Sequence, residues 1–232
     1  MTGATVSGAL SRAVHRYRTA TLAVRLFVHG RAFLSDLAFI EQYVPRTGFI
    51  VDVGCGHGLF ACLLREASER RRVLGHDLDP RKIAAATLAA GTTDGLRFAV
   101  GDARTTIPPR CDAITIVDVL YLLPFAEQEQ VLRNAAAALA EGAPLIVKAQ
   151  ERQQGARYAL TYGQELVTVS LGLTRGGRGR FSFPTREEAL AMFGRAGFKV
   201  EVVEMPKRPY TDVLYLARRA PGSFDTRSVP QT

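Results

Sequence analysis

The chain has 232 residues, enough for one domain with a full core and a cap. Its 47% hydrophobic and 22% charged residues exclude a disordered chain, and no run reaches the roughly 20 apolar residues of a membrane span. The net charge of +8 is unevenly placed. No acid precedes Asp36, whereas Arg12, Arg16, Arg18, Arg25 and Arg31 all do, and the acid-free stretch 167–186 carries Arg175, Arg178, Arg180 and Arg186. Such patches suit acidic partners, or the solvated surface of an Arg-rich chain. Cys55, Cys62 and Cys111 are odd in number and lack metal-ligand spacing. With no signal-peptide pattern at the N-terminus, they point to reduced thiols, a cytoplasmic protein and no metal.

In chain order, residues 9–28 place Leu10, Val14, Tyr17, Val24 and Val28 on one helical stripe. A second helix is expected from Ala32 to Tyr43, ahead of Pro45. The segment "VHGRAF" then joins the two, and residues 1–45 form a helical cap. From residue 46 the pattern changes. Strands are expected at 49–53, 72–77, 96–101, 112–119 and 144–149, alternating with helices that begin near Leu59, Pro80 and Glu127. This alternation predicts an α/β fold with a mostly parallel sheet covered on both faces. Residues 151–183 are less regular and contain "TRGGRGRF". Helical order resumes after Thr185, where Glu188 has capping-box spacing. Residues 199–219 read as an antiparallel hairpin at a sheet edge, closing the domain at 219, and 220–232 as a flexible tail.

Ligands of an open α/β sheet bind outside the carboxyl ends of its strands. Asp52, Asp77, Asp102 and Asp118 all fall at or near such ends, where carboxylates accept from hydroxyl, amino and ammonium donors. The stretch "VDVGCGHGLF" (51–60) places Gly54, Gly56 and Gly58 between a strand and a helix. A dinucleotide fingerprint would be G-x-G-x-x-G, but here Leu59 occupies the last glycine position. Asp52 would also repel a pyrophosphate, yet attract an ammonium or a sulfonium. The loop is therefore expected to give close backbone approach rather than a phosphate cradle.

These motifs, in this order, resemble those of class I S-adenosylmethionine-dependent methyltransferases. "VDVGCGHG" is similar to the family's first motif, "VLGHDLDP" to the second, "VGDA" (100–103) to the third and "DAITIVDVLYLLP" (112–124) to the fourth. The resemblance covers residues 46–219. It implies a three-layer Rossmann-like sandwich with a seven-stranded sheet and an antiparallel last strand. Its cofactor would be S-adenosylmethionine, leaving as S-adenosylhomocysteine. It would be held by Asp52, Gly54, Cys55 and Gly56, by Asp77 and Leu78 at the ribose and adenine, by Asp102 and Ala103 at the adenine edge, and by Val117 and Asp118 at the methionine end. Arg31 is a candidate for the cofactor carboxylate. His29 is the candidate base in the cap, ahead of His57, and Tyr17 and Tyr121 are candidates for the acceptor pocket. Lys148 is left without an assigned role.

The reaction implied is in-line transfer of a methyl group to a small-molecule acceptor, phenolic or polyketide-like, free or carried on an acidic acyl carrier protein. The stretches "VHGRAFLSDLAFIEQYVP", "DVGCGHGLFACLL" and "VLGHDLDPRKIAAA" also faintly resemble methyltransferases of bacterial aryl-polyene or polyketide-type pathways. Several alternatives stay open. They are an RNA-directed enzyme using the arginine–glycine segment, with nucleic acid the less favoured partner, and a lipid-directed enzyme touching a membrane surface through the basic N-terminal helix. A nicotinamide-dependent oxidoreductase and a cofactor-binding regulator without catalysis complete the set. Oligomeric state is not legible.

Overall fold

The computed structural model describes residues 3–152, 181–206 and 212–219. Within them, α1 (Gly3–His15), α2 (Leu22–Leu34) and α3 (Leu37–Glu41) precede β1 (Gly48–Val53), α4 (Leu59–Ala67), β2 (Arg71–Asp77), α5 (Pro80–Ala90), β3 (Leu96–Val100) and β4 (Ala113–Val117). A single 3-10 turn (Leu120–Leu122), α6 (Phe125–Ala138), β5 (Pro144–Gln150), α7 (Arg186–Arg195), β6 (Phe198–Glu204) and β7 (Asp212–Arg219) follow. The seven strands are ordered β3-β2-β1-β4-β5-β7-β6. Strands β1 to β5 are parallel, and β7 runs antiparallel to both β5 and β6. This is the expected Rossmann-like sheet with its reversed last strand. The hairpin sits at the edge as expected, with β6 outermost.

Two apolar layers cover the sheet. On one face α6 and α7 contribute Leu132, Ala135, Met192 and Phe193. On the other, α4 contributes Cys62, Leu63 and Leu64. Strand β4 is buried from end to end, as a central parallel strand must be when helices cover both its faces. Helix α7 starts where the sequence places it. Thr185 Oγ1 accepts from the Glu188 amide while the Glu188 carboxylate accepts from the Thr185 amide, closing a full capping box.

The N-terminal region departs from expectation. The helix read as 9–28 is broken at residues 16–21, and Thr21, as N-cap, starts a new helix. Helix α2 then runs through Gly30, so "VHGRAF" lies inside a helix and not in a joining loop. The helix read from Ala32 to Tyr43 is divided at Ser35–Asp36, where Asp36 has a left-handed φ of 46°. These helices are packed onto the domain's core. Ala9, Ala13, Tyr17, Val28, Leu37 and Ile40 share one core with α4 and β1.

The attachment is also polar. Arg71, fully buried at the start of β2, donates to Glu41 Oε1 (2.6 Å), Pro45 O (2.6 Å), Val44 O (2.7 Å) and Leu64 O (2.9 Å). Burial pushes its guanidinium down in pKa and Glu41 opposes this. Arg12 and Arg16 reach from α1 and beyond it to Glu66 of α4, at 2.8 and 2.6 Å. The expectations for an irregular insertion at 151–183 and for the tail at 220–232 lie, but for 151–152 and 181–183, outside the described residues.

Candidate functional site

A cleft opens at the carboxyl ends of β1, β2 and β4. Its walls include Asp52, the loop Gly54–His57, Asp77, Leu78, Asp102, Ala103, Val117 and Asp118, with Phe27 and Arg31 of α2 across the mouth. Thus every residue that the sequence assigned to cofactor binding comes to one place. Among the lining side chains that came without assignment are Phe27, Lys82 and Arg104.

The glycine loop explains what the cleft can hold. The Gly54 and Cys55 amides donate to His76 O at 2.7 and 3.2 Å, and the Gly58 amide donates to Cys55 O at 2.9 Å. The Gly56 amide donates to Asp77 Oδ2 at 2.8 Å. Four amides of the loop are therefore already committed within the chain, whereas a phosphate cradle needs them aimed at the ligand. Glycine is required on steric grounds at Gly58, which has a φ of 85°; a Cβ there would stand 2.6 Å from the Phe98 ring.

Beneath the loop lies Asp52, 2% exposed. Its Oδ1 accepts from Thr115 Oγ1 at 2.8 Å, while Oδ2 has no hydrogen-bond partner. Burial pushes this carboxyl up to about 7, against the opposing pull of the Thr115 hydroxyl, Arg31 and the Ala61 amide. A buried carboxyl oxygen with no donor, in the wall of a cleft, is open to a donor from a bound ligand. At the end of β2, Asp77 Oδ1 accepts from the Asp79 amide at 2.9 Å, so both oxygens hold the loops and retain lone pairs toward the cleft. Leu78 is 48% exposed at the rim, an apolar surface for a flat ring.

Asp118 follows β4 with a φ of 59°. Its Oδ2 meets Arg31 Nη1 at 3.1 Å and its Oδ1 meets Lys148 Nζ at 2.8 Å, while Lys148 also meets Asp212 Oδ2 at 3.0 Å. Burial alone would raise the Asp118 carboxyl, but the two cations outweigh it and hold it below the usual range. Lys148, left unassigned by sequence, is thus the buried hub joining β4, β5 and β7. Arg31 Nη2 additionally donates to Val117 O at 3.0 Å, so α2 is latched to the end of β4. Asp102 is held by Arg104, whose guanidinium also reaches Glu127 at 2.8 Å. That hydrogen bonding keeps the Asp102 carboxyl low.

Three expectations are not met by the geometry. His29 is exposed and faces a groove between α1 and α2, apart from the cleft, because α2 turns Phe27 and Arg31 inward instead. Tyr17 is 2% exposed, and its hydroxyl donates to His57 O at 2.6 Å; it braces the loop from behind and does not line an acceptor pocket. Tyr121 is also buried, stacked on Phe183 with ring centroids 5.0 Å apart, behind the wall formed by Val119 and Leu122. His57, ranked below His29 by sequence, does line the cleft against Phe27, with centroids 4.8 Å apart. Burial lowers its pKa and leaves Nδ1 without a partner, so it stands there as a neutral imidazole.

Residues 50–142 match the family model described as a methyltransferase domain. The trans-aconitate 2-methyltransferase of Streptomyces coelicolor is 35% identical over 98 residues, covering 40% of this chain and 32% of that protein. The chain thus spans about a third of the curated relative's length. Among solved structures, the pyocyanin biosynthetic protein PhzM superposes with a TM-score of 0.66 at 21% identity, over 89% of this chain and 61% of that one. The mitomycin 7-O-methyltransferase MmcR gives 0.65 at 18%, over 93% and 68%. The sheet order is that of the Rossmann-like methyltransferase fold, and the similarity to a methyltransferase domain lies in residues 50–142.

Proposed function

We propose that the protein transfers a methyl group from S-adenosylmethionine to a small-molecule or carrier-bound acceptor of phenolic or polyketide-like type. The observation that carries the reading is the unpartnered Asp52 Oδ2 beneath a glycine loop whose amides are already spent. With four of the five loop amides bonded within the chain, that pairing suits a ligand with an ammonium group and no phosphate. S-adenosylmethionine, when bound, supplies a methyl group already activated on a sulfonium. Asp52 would take its ammonium, Asp77 the ribose hydroxyls and Leu78 the adenine face, with Ala103 and the Arg104-held Asp102 at the adenine edge.

The chain's own contribution is placement and exclusion of water. Arg31 and Phe27 close the cleft from α2, and Lys148 fixes the β4 end through Asp118. Neutral His57 is the imidazole placed to accept a proton from a hydroxyl acceptor. The O-methyltransfer named for the mitomycin enzyme supports oxygen as the acceptor atom.

The test is transfer of labelled methyl from S-adenosylmethionine to a panel of phenols, polyketide-like enols and carboxylic acids, free and carrier-bound. Turnover with at least one class is expected. Tight binding of S-adenosylhomocysteine with no turnover across the panel would instead indicate a cofactor-binding regulator.

A further inference from the structure

The two faces of α2 differ. Phe27 and Arg31 line the cleft. Outward, Leu22 is 66% exposed and Leu26, one turn on, 64%, with Phe33 76% exposed farther along the helix. Large apolar side chains on an amphipathic helix are ordinarily turned to the core. Arg18 and Arg25 are exposed nearby and have no ion-pair partner among the described residues, whereas Arg12, Arg16 and Arg31 each meet a carboxylate. Between α1 and α2 runs a groove whose apolar lining, Leu10, Val14 and Ala32, is flanked by Arg18, Arg25 and His29. Neither helix carries a single acid.

Leucines projecting from a convex helix need a complementary pocket in a protein partner but none among acyl chains. Unpaired arginines beside them, with no acid to repel phosphate, suit an anionic headgroup layer. We propose that α2 and the α1–α2 groove dock on an anionic phospholipid surface. Leu22, Leu26 and Phe33 enter the headgroup–acyl boundary, and Arg18 and Arg25 contact phosphates. The inference does not depend on what the cleft binds.

The full chain is sedimented with vesicles of phosphatidylcholine, with and without phosphatidylglycerol. Binding is expected only to the anionic vesicles, weakening as salt is raised. One surface cation is worth about fivefold in partitioning, so Arg18→Glu with Arg25→Glu should lower binding by at least about 25-fold. Arg18→Lys with Arg25→Lys should retain it. Leu22→Ser with Leu26→Ser should lower it at least about tenfold. Failure of the parent chain to sediment with anionic vesicles, equal binding to both compositions, or indifference to both the charge reversal and the leucine changes would overturn the proposal. So would a concentration-dependent dimer that Leu26→Ser disrupts in the absence of vesicle binding.

Discussion

Replacing Asp52 by Asn should make the protein more stable and a poorer cofactor binder at once. The carboxyl is pushed from an ordinary 3.8 to about 7 by burial. At about 1.4 kcal/mol per pH unit, holding that charge in the folded chain costs on the order of 4 kcal/mol above neutrality. Between those two values the folded chain keeps a proton that the unfolded chain has released. Asp52 therefore makes stability fall as pH rises through about 4 to 7, and its contribution is level above that. Asn keeps the Thr115 bond to Oδ1 and removes the charge. Without ligand at about pH 8, the variant should gain at least about 1 kcal/mol, worth roughly 2–4 °C in a chain of this size, with about 4 kcal/mol as the ceiling. Binding should move oppositely. In the proposed site the ammonium of S-adenosylhomocysteine pairs with the ionised Asp52, so wild-type affinity should rise from about pH 6 to about pH 8 with release of a proton. The variant should bind roughly tenfold to a hundredfold more weakly and lose that pH dependence. Titration calorimetry in buffers of different ionisation enthalpy reads both quantities, and thermal unfolding reads the stability. Wild-type affinity that is flat over this range, or an Asn variant that binds equally well, would refute the reasoning.

Other perturbations separate the remaining roles. Asp77→Ala removes the proposed ribose acceptor and also frees the Gly56 and Asp79 amides, so S-adenosylhomocysteine affinity should fall at least about tenfold by calorimetry. Arg71→Met leaves Glu41 buried with only the half-exposed Arg46 for a partner. It should cost about 3–5 kcal/mol in chemical denaturation, and a loss under about 1 kcal/mol would show that Arg71 is not the anchor of the N-terminal helices. Tyr17→Phe removes one hydrogen bond to His57 O; about 1 kcal/mol of stability should go, with acceptor KM unchanged. A large rise in KM alone would return Tyr17 to the acceptor pocket. Gly58→Ala combines a left-handed φ with a clash against Phe98 and should lose both thermal stability and cofactor binding.

What could be read from sequence was what depends on local periodicity and short motifs. Strands β1 to β5 announce themselves by apolar runs between turn residues, and the acids at their carboxyl ends converge because parallel strands place those ends side by side. Interactions between distant elements were not legible. Arg71 sits in "SERRRVLGHD", where a run of arginines looks like solvated surface, yet its partners come from a helix some 30 residues earlier. Lys148 gains its meaning only when the antiparallel insertion of β7 brings Asp212 beside β5. His29 was misplaced because Gly30 reads as a helix breaker, whereas α2 tolerates it and rotates the imidazole outward. Arg104, two residues after Asp102, lay within reach of local reasoning as an Asx-turn pair and was overlooked.

The proposed function requires this cleft to take an ammonium-bearing, phosphate-free ligand. The most direct measurement is calorimetric titration of the purified protein with S-adenosylhomocysteine, with NADH titrated in parallel. Micromolar binding of S-adenosylhomocysteine and none of NADH is expected. Binding of NADH without S-adenosylhomocysteine would contradict it, because the glycine loop would then have to release its amides to a pyrophosphate.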